Sequence, residues 1–319
     1  MAEGTFNYQA RATESSLFRN GRLYTTRDID GNEAGTVGVK MEPHQLQVLD
    51  ARQFRGSDRR TLDRNGFELI ECPLRDPDLD FFDSRIVVDR YYDECAEVVR
   101  DATGASRVFA FDHNVRSSDT KLRHQRLVGG QEIQNPARMV HGDYTLWSGP
   151  QRLRDFAKPP TIADAYRSRL EEGDTLLAPV DVDQALESGR FALINLWRNI
   201  AEDPVARDPM ALCDAQTIDP DDLVVFEVQY HDRVGENYTA KYSDRHQWNT
   251  YPGLTREEAL LIKQWDSAGP MARSAGKMGD AAEPDSPCTC SFHTAFSDPA
   301  TPEDAPDRLS IEVRCIVVY

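Results

Sequence analysis

Seven histidines occur in the chain, at positions 44, 113, 124, 141, 231, 246 and 293. One of them stands in Val140-His141-Gly142-Asp143-Tyr144. Side chains two residues apart on a strand share a face, so His141 and Asp143 would present a nitrogen and an oxygen ligand side by side. One further imidazole completes a two-His-one-carboxylate set, which holds Fe(II) on one face and leaves the opposite positions open. A single carboxylate leaves the site net positive, attractive to an anionic co-substrate, and neutral imidazoles suit the metal. In a chain this rich in Asp, H-x-D alone is equally a surface turn.

The C-terminal region sharpens the reading. Ser291-Phe292-His293-Thr294-Ala295-Phe296 places a His in a strand-like run, and Arg308-Leu309-Ser310 follows fifteen residues after His293. On a strand, Arg308 and Ser310 share a face. A guanidinium pairs with a carboxylate through two hydrogen bonds and a hydroxyl adds a third. The pair suits the distal carboxylate of 2-oxoglutarate, whose keto-acid end would chelate the iron. His113 and His246 are the rivals to His293 as third ligand; neither is followed by Arg-x-Ser at strand spacing.

Strands must position these residues. Phe191–Trp197 and Leu223–Tyr230 are rich in β-branched and aromatic residues, Arg107–His113 is a shorter run of the same kind, and Leu309–Tyr319 alternates Ile311, Val313 and Cys315 with polar neighbours. In the first 80 residues, Thr36–Val39, Leu46–Leu49 and Phe67–Ile70 predict short strands between turns. Apolar residues at three- and four-residue steps predict a helix over Ser84–Thr103, stopped at Gly104. Further helices are predicted over Ile162–Glu172 and Val182–Ser188, and over Thr255–Trp265, where Thr255 and Glu258 form a capping box. Asp266–Asp285, loaded with Gly, Ala, Ser and Asp, predicts a long mobile loop and a lid over the site. Strands at this spacing without regular βαβ alternation indicate an antiparallel barrel or jelly roll.

Composition removes several classes. The 319 residues carry 37 Lys and Arg against 54 Asp and Glu, a net charge of −17. Nucleic acid and anionic membrane surfaces are therefore not expected partners. No apolar run approaches the roughly 20 residues that span a bilayer. No secretion signal is apparent, so a cytoplasmic protein with six reduced cysteines is expected. Cys288-Thr-Cys290 lacks a second Cys/His pair at zinc-site spacing. The G-x-G-x-x-G, P-loop and G-x-S-x-G motifs are absent, which removes the simplest arguments for a dinucleotide enzyme, a P-loop NTPase or a serine hydrolase.

From about residue 60 onward, an ordered series of blocks resembles one family of Fe(II)/2-oxoglutarate oxygenases. This family includes the small component of the cephamycin 7α-methoxylase, the fungal gibberellin desaturase and related secondary-metabolite hydroxylase/desaturases. The blocks are 108–116, 140–145, 195–200, 210–214, 246–252, 266–267, 292–299 and 308–314. The resemblance implies a mainly β fold with helices (α+β), with a double-stranded β-helix, cupin-like jelly-roll core flanked by helices. It implies one oxygenase domain over 1–319, with 1–80 an extension packing on the core and 105–319 the core with helical insertions. Iron would be held by His141, Asp143 and His293, and 2-oxoglutarate by Arg308 and Ser310.

The implied reaction uses Fe(II), 2-oxoglutarate and O2. It attacks an unactivated C–H bond of a small natural-product or amino-acid-derived molecule, by hydroxylation, desaturation or oxidative cyclisation, and releases succinate and CO2. Arg198, Asn195, Trp197, Tyr144, His246 and His113 are candidates for touching substrate or supporting the ligands. Arg198 is equally a buried ion pair, and His246 with Trp248 and Tyr251 equally core. The family usually has a bulkier residue at 142 and Gln at 144, so Gly142 and Tyr144 are expected to reshape the substrate pocket. The alternative is a metal-binding jelly roll acting as the non-catalytic partner or ligand-binding component of a biosynthetic complex. A homodimer or a second biosynthetic protein is the expected macromolecular partner.

Overall fold

The computed structural model describes residues 2–27, 33–122, 125–230 and 234–319; His124 and His231 lie outside them. Its strands are β1 (Ala2–Gln9), β2 (Tyr24–Arg27), β3 (Glu33–Val37), β4 (Met41–Asp50), β5 (Phe67–Glu71), β6 (Arg107–Ser117), β7 (His141–Gly142) and β8 (Phe191–Asn199). They continue with β9 (Met210–Cys213), β10 (Leu223–Gln229), β11 (Val234–Ala240), β12 (Trp248–Thr250), β13 (Glu258–Asp266), β14 (His293–Ala295) and β15 (Leu309–Val318).

Two sheets face each other. One has the order β1-β4-β12-β9-β14-β7-β11-β10-β2-β3 and the other β5-β13-β8-β15-β6. Eight strands form the jelly roll. β6, β7, β8 and β9 alternate between the sheets; β12 lies antiparallel beside β9; β13, β14 and β15 then alternate again. The β10–β11 hairpin is inserted between β9 and β12, and β1 and β4 extend the larger sheet beyond β12.

The strand pattern explains the layering. On β15, Ile311, Val313 and Cys315 join the cluster that packs the smaller sheet against helices, together with Tyr91, Tyr92 and Val99. Ser310, Glu312 and Arg314 alternate with them and face the space between the sheets. The sequence-derived helix over Ser84–Thr103 is present and ends at Gly104, whose φ of 66° is the left-handed cap expected there. Its Val87–Tyr91 turn is π-helical. The helix predicted over Val182–Ser188 runs Pro179–Glu187.

Three predicted elements are corrected. Thr255–Trp265 is not a helix: Glu258–Asp266 is a strand, paired with β5 on one side and β8 on the other. The Thr255–Glu258 contact does form, with the Thr255 N–H donating to Glu258 Oε2 at 3.1 Å, but it closes a turn. A run buried on both faces loses its alternation and is indistinguishable from a buried helix by periodicity. Ile162–Glu172 holds only a short 3-10 helix, Ala165–Arg169: Tyr166 is buried in the core, but Ile162 is 90% exposed and does not join it. Asp266–Asp285 is not an open loop. It contains the helix Pro270–Arg273 and is pinned by Asp280, whose buried carboxylate accepts from Thr289 N (2.6 Å) and Oγ1 (2.7 Å).

Candidate active site

His141 on β7 and His293 on β14 are direct partners in the antiparallel ladder. Asp143 follows β7 by one residue. Ligand atoms of the three lie within 4.8 Å of one another. His141 Nδ1 lies 2.7 Å from the Met139 carbonyl, to which it donates. That bond leaves Nε2 with its lone pair free, the orientation a metal-binding imidazole needs. Nε2 is 3.8 Å from Asp143 Oδ1.

The facing sheet supplies the surroundings. Arg308 and Ser310 share a face as expected, with Arg308 Nε donating to Ser310 Oγ at 3.1 Å. Arg308 Nη1 donates to the Asp208 carbonyl at 2.7 Å. Asp208 holds a φ of 50°, a left-handed conformation that Asp tolerates, and this turns its carbonyl to the guanidinium. Among the described residues these two bonds occupy two of the five guanidinium N–H groups, and the others are available to an anion. His141, His293, Arg308, Trp197, Arg116 and Glu312 line one cleft.

Burial and neighbouring charge set the electrostatics. Burial raises the Asp143 carboxyl, but Arg314, His293 and His141 outweigh it and hold it well below the usual carboxylate range. Burial, with His141 adding to it, pushes His293 down to about 3, so its imidazole is neutral at neutral pH. Burial and the nearby Arg116 lower Arg308 to about 10, which leaves it charged. Burial raises Glu312, against the pull of Arg314.

Fe(II) fits this set of donors: two imidazoles and one carboxylate at a cleft that Arg308, Arg116 and Glu312 also line. 2-Oxoglutarate fits as well. Trp197 Nε1 is buried with no hydrogen-bond partner among the described residues, and its ring lies 5.0 Å from Arg308 Cζ. A buried indole N–H normally finds an acceptor, and a carboxylate held by Arg308 would supply one.

Asn195 also belongs to the site: its Nδ2 donates to Asp143 Oδ2 at 2.8 Å. Tyr144 packs beside Arg152, Arg314 and Asp112, and burial pushes its hydroxyl up to about 12. Three candidates fall elsewhere. Arg198 points to the helical side of β8 and donates to Tyr91 Oη and to the carbonyls of Cys72 and Arg256. His113 lies on the same side, with Ser84 Oγ 3.1 Å from Nε2 and Tyr92 Oη 2.8 Å from Nδ1. His246 is buried between Tyr8 Oη, 3.0 Å from Nδ1, and Asp222, 3.3 Å from Nε2. Alternation along a strand sends Asn195 and Trp197 one way and Arg198 the other. Gly142 follows the same rule: a Cβ there would meet Phe292 Cδ1 at 3.7 Å, not the cleft.

Arg116 was expected, with Asp112 and His113, to form a network supporting the ligands; three residues of the site, Gln264, Glu312 and Arg314, were not anticipated. Gln264 is the extra residue of a β-bulge in β13, since Lys263 pairs with Ile194 and Trp265 with Leu193. Its Oε1 accepts from the Asp143 amide at 2.9 Å and its Nε2 lies 3.4 Å from His293 Nδ1. It was hidden in the stretch expected to be helical. Arg116 and Glu312 line the cleft and Arg314 contacts Asp143; for Glu312 and Arg314 the alternation with apolar residues was the signal available.

A family model described as oxidoreductase/YMDC permease-like domain matches residues 6–318. Among the described residues no helix is long and apolar enough to cross a membrane. An uncharacterised protein from the dcmA 3′ region of Methylophilus leisingeri is 41% identical over 199 residues, 62% of this chain and 90% of that protein. The Fe(II)/2-oxoglutarate-dependent dioxygenase nvfI of Aspergillus novofumigatus is 28% identical over 281 residues, 86% of this chain and 83% of that protein. The solved structure of the iron and alpha-ketoglutarate-dependent endoperoxidase NvfI superimposes with a TM-score of 0.72 at 23% identity, covering 99% of this chain and 97% of that one. The expected kinship with fungal Fe(II)/2-oxoglutarate oxygenases and the jelly-roll fold are both borne out.

Proposed function

Because the chain belongs to the oxidoreductase/YMDC permease-like domain family, we propose that it works there as a non-haem Fe(II)/2-oxoglutarate-dependent dioxygenase. Its substrate is a small natural-product or amino-acid-derived molecule, hydroxylated, desaturated or cyclised at an unactivated C–H bond. One observation carries the reading: the His141–Asp143–His293 cluster and the Arg308–Ser310 pair come from opposite sheets and line or border one cleft.

Bound together, Fe(II) and 2-oxoglutarate would let O2 act as the oxidant: one oxygen atom would end in succinate as 2-oxoglutarate loses CO2, and the other would oxidise the substrate and end in its new hydroxyl group or in water. The residues do the rest. His141, Asp143 and His293 hold the metal, two as neutral donors and one as an anion. Arg308, propped by the Asp208 carbonyl and Ser310, fixes the distal carboxylate of 2-oxoglutarate, and Trp197 offers its free N–H beside it. Arg116 adds positive charge, so the cleft favours a dianion. Ala137, Met210 and Ala295 supply apolar lining, beside which such polar contacts are stronger than in water.

The test is an anaerobic titration of the metal-free protein with Fe(II) and then 2-oxoglutarate. A weak visible charge-transfer band that needs both additions, and is lost in His141→Ala and His293→Ala, is the expected result. Absence of the band in folded protein overturns the reading and favours a non-catalytic metal-binding partner.

A further inference from the structure

We propose that Arg314 and Asn195 are positioning residues that clamp one oxygen of Asp143, so that the carboxylate offers only its other oxygen to the metal. The proposal deepens the metal reading above and rests on it. Arg314 and Asn195 are register partners on β15 and β8. Both reach across to the same atom: Asn195 Nδ2 donates to Asp143 Oδ2 at 2.8 Å and Arg314 Nε at 3.3 Å. A carboxylate oxygen has about two lone-pair positions, so Oδ2 is filled. Oδ1, the oxygen on the His141 side, is left for the metal.

The clamp is rigid because Arg314 is itself held. Its Nη1 donates to Asp112 Oδ2 at 2.9 Å and to Asn114 Oδ1 at 2.5 Å, and its Nη2 to Glu312 Oε1 at 3.2 Å. Asp112 and Asn114 come from β6, on the other side of β15. Turning the carboxylate to bring both oxygens to the metal would break the Oδ2 contacts and leave buried donors unpaired. The consequence is one of coordination. In an octahedral site, two imidazoles and a one-oxygen carboxylate leave one face open, and a two-oxygen carboxylate would take a position on that face.

The experiment is Co(II) titration of the metal-free full chain, read by the visible d–d bands, with far-UV circular dichroism to check folding. Wild type is expected to bind one Co(II), and His293→Ala to lose it. Arg314→Met is expected to bind about 10- to 100-fold more weakly, the range seen when a group supporting a metal ligand is removed. Its d–d bands should weaken and shift as the freed carboxylate binds through both oxygens. Arg314→Lys should recover part of the affinity, and Asn195→Ala should fall between wild type and Arg314→Met. Arg198→Met removes a buried arginine from the other face of β8 and should leave Co(II) binding unchanged.

Wild-type affinity and spectrum in both Arg314→Met and Asn195→Ala would overturn the clamp. So would an equal loss in Arg198→Met, which would mark the effect as general loosening. If Arg314→Met does not fold, Asn195→Ala decides on the same criteria. No His293-dependent binding in wild type would overturn the metal reading and the clamp with it; wild-type binding with unaltered variants overturns the clamp alone.

Discussion

His141 and His293 face each other in a single antiparallel register pair, their ring centroids 4.2 Å apart and their planes 48° from parallel. The pairing explains how a ligand far along the chain reaches the first two. A one-residue slip of β14 would turn His293 to the other face. Two bonds on β14 resist it: Cys213 N to the Phe292 carbonyl at 2.9 Å and Ala295 N to the Ala137 carbonyl at 2.7 Å.

The Arg308 contacts predict a selective defect. Arg308→Met should raise the 2-oxoglutarate concentration needed for half-maximal succinate formation about 100-fold. That corresponds to about 3 kcal/mol, the loss expected for two charge-assisted hydrogen bonds. Co(II) affinity should change less than twofold. Steady-state kinetics beside a metal titration checks both halves.

Gln264 joins the Asp143 backbone to the His293 ring. Gln264→Leu leaves the buried Asp143 N–H without its acceptor and is expected to weaken metal binding about 10-fold or more. Its volume is nearly conserved, so the urea midpoint should fall by far less than for a cavity-forming change. A variant with wild-type metal affinity would show that Gln264 only fills space.

Gly142 separates the two nearest ligands in sequence yet turns its α-carbon toward Phe292. A Cβ there would make ordinary contacts, at 3.7 Å to Phe292 Cδ1 and 3.8 Å to the Ser291 carbonyl. Gly142→Ala should therefore be neutral or stabilising by about 0.5 kcal/mol, through the lower entropy of the unfolded chain, with metal and 2-oxoglutarate binding unchanged. Loss of either would place residue 142 in the pocket after all.

Arg198 is structural in this geometry. Arg198→Met leaves the Cys72 and Arg256 carbonyls and the Tyr91 hydroxyl without their donor and should cost about 3 kcal/mol in urea unfolding. Turnover per folded molecule should stay at the wild-type level. A large fall in turnover with little loss of stability would return Arg198 to the site.

His113 predicts a pH dependence. Burial lowers its pKa below the ordinary value of 6.5. Below pH 6.5 the unfolded chain then binds more protons at this position than the folded one, so the contribution to stability is full above 6.5 and is lost as pH falls. The slope approaches about 1.4 kcal/mol per pH unit while the folded imidazole stays neutral. The difference in unfolding free energy between wild type and His113→Gln should shrink as pH falls from 7 toward 5. A difference independent of pH would refute the assignment.

The local pattern alone determined a good part of this protein. The spacing His141-x-Asp143 and Arg308-x-Ser310 requires shared faces wherever the backbone is extended, and both pairs do share one. Val87, Tyr91, Cys95 and Val99 specify a helix by period, and the helix is there. Which His would be the third ligand rested on strand context and order along the chain. Only the register of β14 on β7 brings His293 to His141, while His113 and His246 are committed to other partners.

Other features depended on tertiary structure for a physical reason. Leu260–Trp265 is buried on both faces, so its alternation is erased and only its pairing with β5 and β8 makes it a strand. Gln264 points at the metal ligands because a bulge breaks the two-residue period at that residue. Asp208 supports Arg308 through a backbone carbonyl, which side-chain type cannot reveal. Arg314 reads locally as one more charge on an alternating strand; its place beside Asp143 comes from the facing of two sheets.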